Sequence, residues 1–293
     1  MDRVRNIFIA ILFLSGLGIT MYPFVSNLVA ESNASRAIAS YNEEVAQMDQ
    51  EEIDAAKASL QAYNEQLNNA YSTSQNAEET VSYIDLIDVG ESLGFITIPK
   101  IDLELPIYSG TNEDVLQRGA GHMVQSSYPI GGESTHSVLT GHRGLPEAVL
   151  FTNLDQLEVG DYFYLHVLDE VLAYQVDQIT IALPEETEGL EIVPGMDYCT
   201  LVTCHPYAVN THRLLVRGVR TEYIPEEEAN QKMEYVDVSS GTFVKRLVDA
   251  RAWIGISLLA MVLMESAIFL LYMRKKRKDA KKYRRIGNGK DSR

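Results

Sequence analysis

The stretch Thr200-Leu201-Val202-Thr203-Cys204-His205-Pro206-Tyr207-Ala208-Val209-Asn210-Thr211-His212-Arg213-Leu214-Leu215-Val216 decides how this chain folds. Its opening residues are β-branched or apolar, the composition that suits a half-buried pleated surface. Pro206 has no N–H to offer a central ladder, so the chain must leave the sheet there. A second apolar run starts near Arg213. If the two runs are antiparallel neighbours, Cys204 and Arg213 face each other with Cβ atoms about 4.5–5.5 Å apart. A thiol and a guanidinium then share one rim of the sheet.

Working outward, the region from Leu93 reads as short β-type runs separated by turn signals. Leu93–Ile98, Leu103–Tyr108, Ser137–Thr140, Asp161–Val167, Val171–Ile181, Cys199–Cys204 and Arg213–Arg220 are expected strands. Asn112–Gly119 and Glu147–Leu154 are expected short helices. Many short strands at regular spacing point to a closed barrel or a sandwich. The segment 31–70 is polar and acidic and has neither Pro nor Gly, with Leu60, Tyr63, Leu67 and Tyr71 at helical spacing. One or two helices are expected there, docked on the β domain or standing between it and a membrane. Residues 72–92 read as a loop, and no internal repeat is present.

Two apolar runs, Ile7–Val29 and Ala252–Met273, each reach the roughly 20 residues needed to cross a bilayer. Arg3 and Arg5 precede the first, and Arg274-Lys275-Lys276-Arg277-Lys278 follow the second. Basic residues beside a span stay in the cytoplasm, which puts both termini inside and residues 30–250 outside. Leu28-Val29-Ala30 is a poor cleavage site, so the first run is expected to remain as an anchor. The outer part holds 37 Asp and Glu against 11 Lys and Arg, while residues 274–293 hold 11 basic and two acidic residues. An acidic outer domain lacks the footprint that nucleic acid requires. The basic tail marks topology and meets anionic lipid. Glu265 lies within the second run, where an ionisable group is costly.

An exported chain is free to form disulfides, and this one has two cysteines, Cys199 and Cys204. Five strand residues span roughly 16 Å, and an odd offset sends the two side chains to opposite faces. A disulfide needs Cα atoms within about 7 Å, so these two remain thiols. A cation beside a thiol favours the nucleophilic thiolate. An Arg also steadies the oxyanion formed when a thiolate attacks a carbonyl. His142, in Val138-Leu139-Thr140-Gly141-His142-Arg143-Gly144, is the candidate acid–base group for a leaving amine. Plainer readings stand beside this one. A lone Cys at a strand end is more often a small buried hydrophobe, and Arg213 also reads as a solvated edge residue. Spacing hardly separates His142 from His122, His136, His166, His205 or His212. A zinc site from Cys204, His205 and His212 lacks ordinary ligand spacing and a fourth ligand.

Beyond these physical readings, Thr200–Cys204 followed by Arg213 resembles the Leu-x-Thr-Cys…Arg signature of the sortase family. Thr140-Gly141-His142 resembles the strand that carries the sortase histidine. Gly94–Gly110, Gly119–Gly132, Ser134–Leu145 and Thr211–Arg220 look like class C, or pilin-polymerising, sortases. The second span with its basic tail is similar to that class too. The resemblance implies a mostly β fold: an eight-stranded sortase-type barrel with short helices, preceded by an N-terminal helical segment and flanked by two transmembrane helices. The expected partition is a cytoplasmic N-terminus (1–6), an anchor (7–29), an outer helical and lid-like segment (30–92), a catalytic barrel (93–225), a juxtamembrane segment (226–251), a second span (252–273) and a cytoplasmic tail (274–293).

The same resemblance implies a thiol transpeptidase with no cofactor or metal. Cys204 attacks the Thr–Gly carbonyl of a Leu-Pro-x-Thr-Gly-like sorting signal, Arg213 steadies the oxyanion, and His142 serves the leaving and incoming amines. The acceptor is a pilin lysine in pilus-polymerising members and a cell-wall precursor in anchoring ones. A hydrolytic cysteine protease and a catalytically silent assembly factor are the rival readings. Thr203 is a candidate for placing the substrate backbone. Many class C members carry a lid with an Asp-Pro-aromatic triplet, which is absent here because no Pro lies between Pro23 and Pro99. Tyr71 and Tyr83 are the candidate plugs in its place.

Overall fold

Strands Gly94–Ile98 (β1), Leu103–Ser109 (β2), Ala120–His122 (β3), Thr135–Thr140 (β4), Tyr162–Val167 (β5), Glu170–Ala182 (β6), Asp197–His205 (β7) and His212–Thr221 (β8) close into a barrel in a computed structural model of the chain. The structure describes residues 2–72, 92–225 and 228. The order around the barrel is β1-β2-β3-β4-β7-β8-β6-β5. Closure removes the unpaired edges that an open sheet would expose. Two neighbouring pairs, β2–β3 and β4–β7, are parallel. The β7–β8 pair is antiparallel and sets Cys204 opposite Arg213.

The wall of the barrel has two faces, and burial separates them. Leu139, Cys199, Leu201 and Val216 belong to the main core inside. Their sequence neighbours Val138, Val202 and Leu215 form a second, smaller cluster with Ala182, against which Met123 and Leu190 pack. Alternation of side chains along a strand produces this division. The interior is filled by large side chains, Phe163, Tyr174, Ile96, Ile107 and Leu165 among them, with no measurable exposure.

Helices Asp2–Gln47 (α1) and Gln50–Ser72 (α2) precede the barrel, and a single turn, Glu113–Leu116 (α3), sits between β2 and β3. A reciprocal cap divides α1 from α2. The Glu52 N–H donates to Asp49 Oδ1 (2.9 Å), and the Asp49 N–H donates to Glu52 Oε2 (3.0 Å). Each side chain satisfies a backbone donor that a helix start leaves orphaned. The C-terminal part of α1 and helix α2 then cap one end of the barrel. Tyr41 Oη accepts from the Leu168 N–H (2.7 Å) and donates to Leu93 O (3.2 Å). Lys57 pairs with Asp169 and Glu170. Asn64 Oδ1 accepts from the Tyr128 N–H (2.7 Å) while its Nδ2 donates to Tyr128 O (3.2 Å). Leu60 and Leu67 are wholly buried beneath.

Seven of the strands fall where β patterning places them, with ends moved by up to two residues. The eighth, β3, is a three-residue Ala-Gly-His strand, too short and too poor in β-branched residues to stand out. The helix expected over 147–154 is a 3-10 segment, Leu150–Gln156, kinked at Phe151. Helix α1 is continuous through Val29, where a boundary between anchor and outer helix is expected. Among the described residues, one helix is long and apolar enough to cross a membrane. The expected second span with Glu265, the basic tail, residues 226–227 and 229–251, and residues 73–91, which include Tyr83, lie outside the described residues.

Two outcomes test this account. Asn64→Ala strands a buried N–H and a buried C=O, each worth about 1–3 kcal/mol, so unfolding should show a loss of about 3 kcal/mol. Fully buried His122 is pushed down to about 4, first by burial and against the opposing hydrogen bond with Ser127 O. Below its unfolded value of about 6.5 the unfolded chain gains a proton that the folded chain refuses. This contribution is therefore fully present above about pH 6.5 and is lost as pH falls toward 4, by about 3 kcal/mol. Denaturation midpoints at several pH values should follow that slope, and His122→Asn should flatten it.

Candidate active site

Strand direction brings the chemistry together. β4 and β7 run parallel, so both finish at the same rim, and antiparallel β8 begins there. That rim is the opposite end from the one capped by α2. Counting in twos along the outer face, Val202 leads to Cys204, Leu215 leads back to Arg213, and Val138 leads through Thr140 to His142. Cys204 and Arg213 therefore leave the barrel wall on its outer face, and His142 follows two residues after Thr140, the last residue of β4.

The β4 end is tied firmly to the β7 end. The Gly141 N–H donates to Val202 O (3.0 Å), and buried Thr203 Oγ1 donates to Gly141 O (2.7 Å). These bonds prolong the parallel pairing past Thr140 and hold the His142 backbone beside the nucleophile strand. Gly141 is required here, since a Cβ would stand 2.7 Å from the Phe151 ring. The Phe151 N–H donates to His142 O (3.1 Å). Gly144 then turns the chain at φ 80°, where a side chain would be strained and would also crowd the Tyr207 ring.

Cys204 is half-buried, whereas Cys199 is fully buried and unpaired by any disulfide. Burial, with Asp197 nearby, pushes the Cys199 thiol well above its ordinary value. The guanidinium of Arg213 is steered by two carbonyls of the β7–β8 loop, donating through Nη1 to His212 O (3.0 Å) and Asn210 O (3.4 Å). His142 is 24 % exposed, with Nε2 3.4 Å from Glu113 Oε1 on α3. Apolar Val138, Ala182, Val202 and Leu215 continue along the same wall away from Cys204. These four are buried beneath Met123 and Leu190, which pack over them.

Two residues that sequence patterning did not single out hold this arrangement. Glu113 reaches His142 only because the β2–β3 crossover lays α3 against the β4 end. Arg143, 8 % exposed, follows His142 and joins three segments. Its Nε donates to Thr152 O (3.2 Å), Nη1 to His205 Nδ1 (3.2 Å), and Nη2 pairs with Asp155. Its plane also lies over Tyr207, 5.9 Å from the ring centre. Arginine only donates, so His205 Nδ1 accepts and its proton is assigned to Nε2. Arg143 thus links the residue after His142 to the residue after Cys204. The charged Arg within a Gly-His-Arg-Gly turn was the available signal.

The remaining candidates take other places. Thr203 spends its hydroxyl on Gly141. Tyr71, 46 % exposed, sits on the last turn of α2, the helix anchored at the capped end. His205 is engaged by Arg143, and His212 Nδ1 lies 2.9 Å from Thr211 Oγ1. Among the described residues, no group of three or more His, Cys, Asp or Glu converges as a metal would need.

Comparison with known proteins fits this geometry. Residues 96–221 match the family model described as the Sortase domain. The chain is 32% identical over 121 residues to sortase D of Bacillus subtilis, a match covering 41% of this chain and 58% of that protein. The chain therefore spans less than two thirds of the length of that curated relative. Among solved structures, the lid mutant of Streptococcus agalactiae sortase C1 is 44% identical with a TM-score of 0.62, covering 64% of this chain and 99% of the other. Sortase C of Clostridium perfringens, solved with the C-terminal cell wall sorting motif, is 44% identical with a TM-score of 0.59, covering 65% and 100%.

The role of Arg143 is directly testable. Arg143→Ala leaves Asp155 and His205 without their cation and should cost about 2 kcal/mol in unfolding experiments. Arg143→Lys keeps the charge without the planar fork. It should recover part of that stability while the alkylation rate of Cys204 stays severalfold from wild type, read from the pH profile of reaction with iodoacetamide.

Proposed function

The chain belongs to the sortase family, and from that membership we propose that it is an extracytoplasmic cysteine transpeptidase acting on Leu-Pro-x-Thr-Gly-like sorting signals. The observation that carries the reading is the register of three strand ends: Cys204 opposite Arg213, with the His142 segment bonded to β7 through Gly141.

In the proposed reaction Cys204 Sγ attacks the carbonyl carbon of the Thr–Gly bond. An N–H of Arg213 donates to the oxyanion as it forms, where a preorganised donor is most effective. His142 gives a proton to the departing glycine amine, and the C–N bond breaks. The acyl group is left on sulfur as a thioester, which divides one hard step into two. An incoming amine then attacks that thioester, His142 removes its proton, and the thiol is released as a new amide forms. Bonds broken and formed balance without any redox partner. Thr203 contributes by fixing the strand end through Gly141, and Glu113 supports the imidazole when it is protonated.

The likeness to class C structures supports a pilin lysine side chain as the acceptor, giving pilus polymerisation. The ends of β4 and β7, brought to one rim by their parallel pairing, support a sorting peptide that approaches the thiol beside them. Outward placement of the barrel follows from the basic residues flanking the apolar runs. Tyr71 and Tyr83 stay candidates for an aromatic plug of the site.

The test uses the full-length protein in detergent. Incubation with a sorting-signal peptide should give a mass adduct that Cys204→Ala abolishes and Arg213→Ala slows by about 10²–10³-fold. Adding a pilin lysine peptide should then yield the joined product. Release of the free acid alone, with no transfer to lysine or to a wall-precursor amine, would identify a hydrolase instead.

A further inference from the structure

Helix α1 is one helix from Asp2 to Gln47, and it passes through two surroundings. From Tyr22 onward it runs beside the barrel. Tyr22 Oη donates to Glu147 Oε1 (3.0 Å), and Ser26 Oγ lies 3.3 Å from Pro146 O. Further along, Ala30 packs against the core, and Tyr41 bonds Leu93 and Leu168. Pro146 and Glu147 belong to the loop that follows His142, at the rim. Leu93 and Leu168 belong to the capped end. The nineteen helical steps from Tyr22 to Tyr41 cover about 28 Å, enough to run the length of the barrel wall.

Before Tyr22 the helix has left the barrel behind. Ile11, Leu14, Leu17 and Ile19 are all exposed, Ile19 at 76%. A span of about 20 residues starting at Ile7, where the apolar run begins, ends at Ser26. Ser26 is the residue that touches the rim loop. The outer boundary of the bilayer and the rim of the barrel therefore fall at the same height on one helix. Tyr22, with an apolar ring and a polar tip, stands at that height, as interfacial aromatics do.

We infer that the rim carrying Cys204 is seated on the outer surface of the lipid bilayer, with the capped end pointing away from the membrane. This rests on the reading of α1 as a membrane anchor. The rim is suited to the interface. Ile181 at the end of β6, and Tyr207 and Val209 in the β7–β8 loop, are 53%, 55% and 64% exposed. At the capped end, Ile224 after β8 and Val193 in the β6–β7 loop are 44% and 40% exposed. Amphipathic aromatic and aliphatic tips gain by entering the headgroup region. The bonds of Tyr22 and Ser26 to the loop after His142 couple the anchor directly to the catalytic rim. A substrate tethered in the same bilayer then meets the thiol at the membrane surface, and its search is confined to two dimensions.

The full-length protein is reconstituted into phosphatidylcholine vesicles, with the photoreactive p-benzoylphenylalanine in place of Val209. A second preparation carries it in place of Glu133, an exposed residue at the capped end. After irradiation, intact mass should show a lipid adduct at position 209 at least tenfold more abundant than at position 133. Equal or greater labelling at 133 overturns the proposal, as does absence of a lipid adduct at 209 in protein that floats with the vesicles. Failure to float overturns the anchor and the orientation with it. Peptide transfer measured in the same vesicles reports the sortase reading separately, so loss of one is distinguishable from loss of the other.

Discussion

The structure depends on a parallel pairing. β4 and β7 lie side by side in the same direction although more than fifty residues separate them in sequence. That choice places the ends of both strands, and the start of β8, at one rim. Had β4 run antiparallel to β7, His142 would lie at the opposite end of the barrel from Cys204. The bonds of Gly141 with Val202 and Thr203 extend the pairing beyond the strand itself, and the missing side chain of Gly141 lets Phe151 press against it. Arg143 then fastens the two segments that continue past the site.

Buried polar groups with well-placed partners help to maintain this geometry. His136 places Nδ1 2.8 Å from Glu191 O and Nε2 2.7 Å from Thr200 Oγ1, so it binds the β6–β7 loop to the outer wall. Burial lowers its affinity for a proton, and Arg217 nearby adds to this, against the opposing bond to Glu191. The neutral ring satisfies both partners at once. Asn64 plays a similar part at the other end, presenting its amide to Tyr128 as a neighbouring strand would. These ties are local and polar, whereas the barrel interior is held by contact among large apolar side chains.

Much of this was legible in the sequence because strands announce themselves by alternation and by what ends them. Pro206 and the apolar runs around it were sufficient to anticipate the Cys204–Arg213 facing, and the odd offset of Cys199 to anticipate its separation from Cys204. What was not legible depends on contacts between distant segments. β3 has three residues and gains its identity only from β2 and β4. Glu113 meets His142 through a crossover whose path no local pattern records. Arg143 stands in a short turn, and its role arises only from Thr152, Asp155 and His205, which the fold brings around it. The continuity of α1 was hidden for a related reason: the composition changes near Val29 from apolar to acidic, but both compositions are helical, and a change of surroundings need not break a helix.

The two thiols also determine how the protein fares among oxidants. Oxidation of Cys204 yields a sulfenic acid, which many proteins repair by condensing it with a neighbouring thiol. Cys199 cannot serve, because it points into the barrel, on the other face of the same strand and roughly 16 Å away along it. Its burial protects it from the same oxidants. Damage at Cys204 is therefore reversible only by a thiol arriving from solution, and the lifetime of the enzyme is tied to the reducing capacity of its surroundings rather than to anything within its own chain.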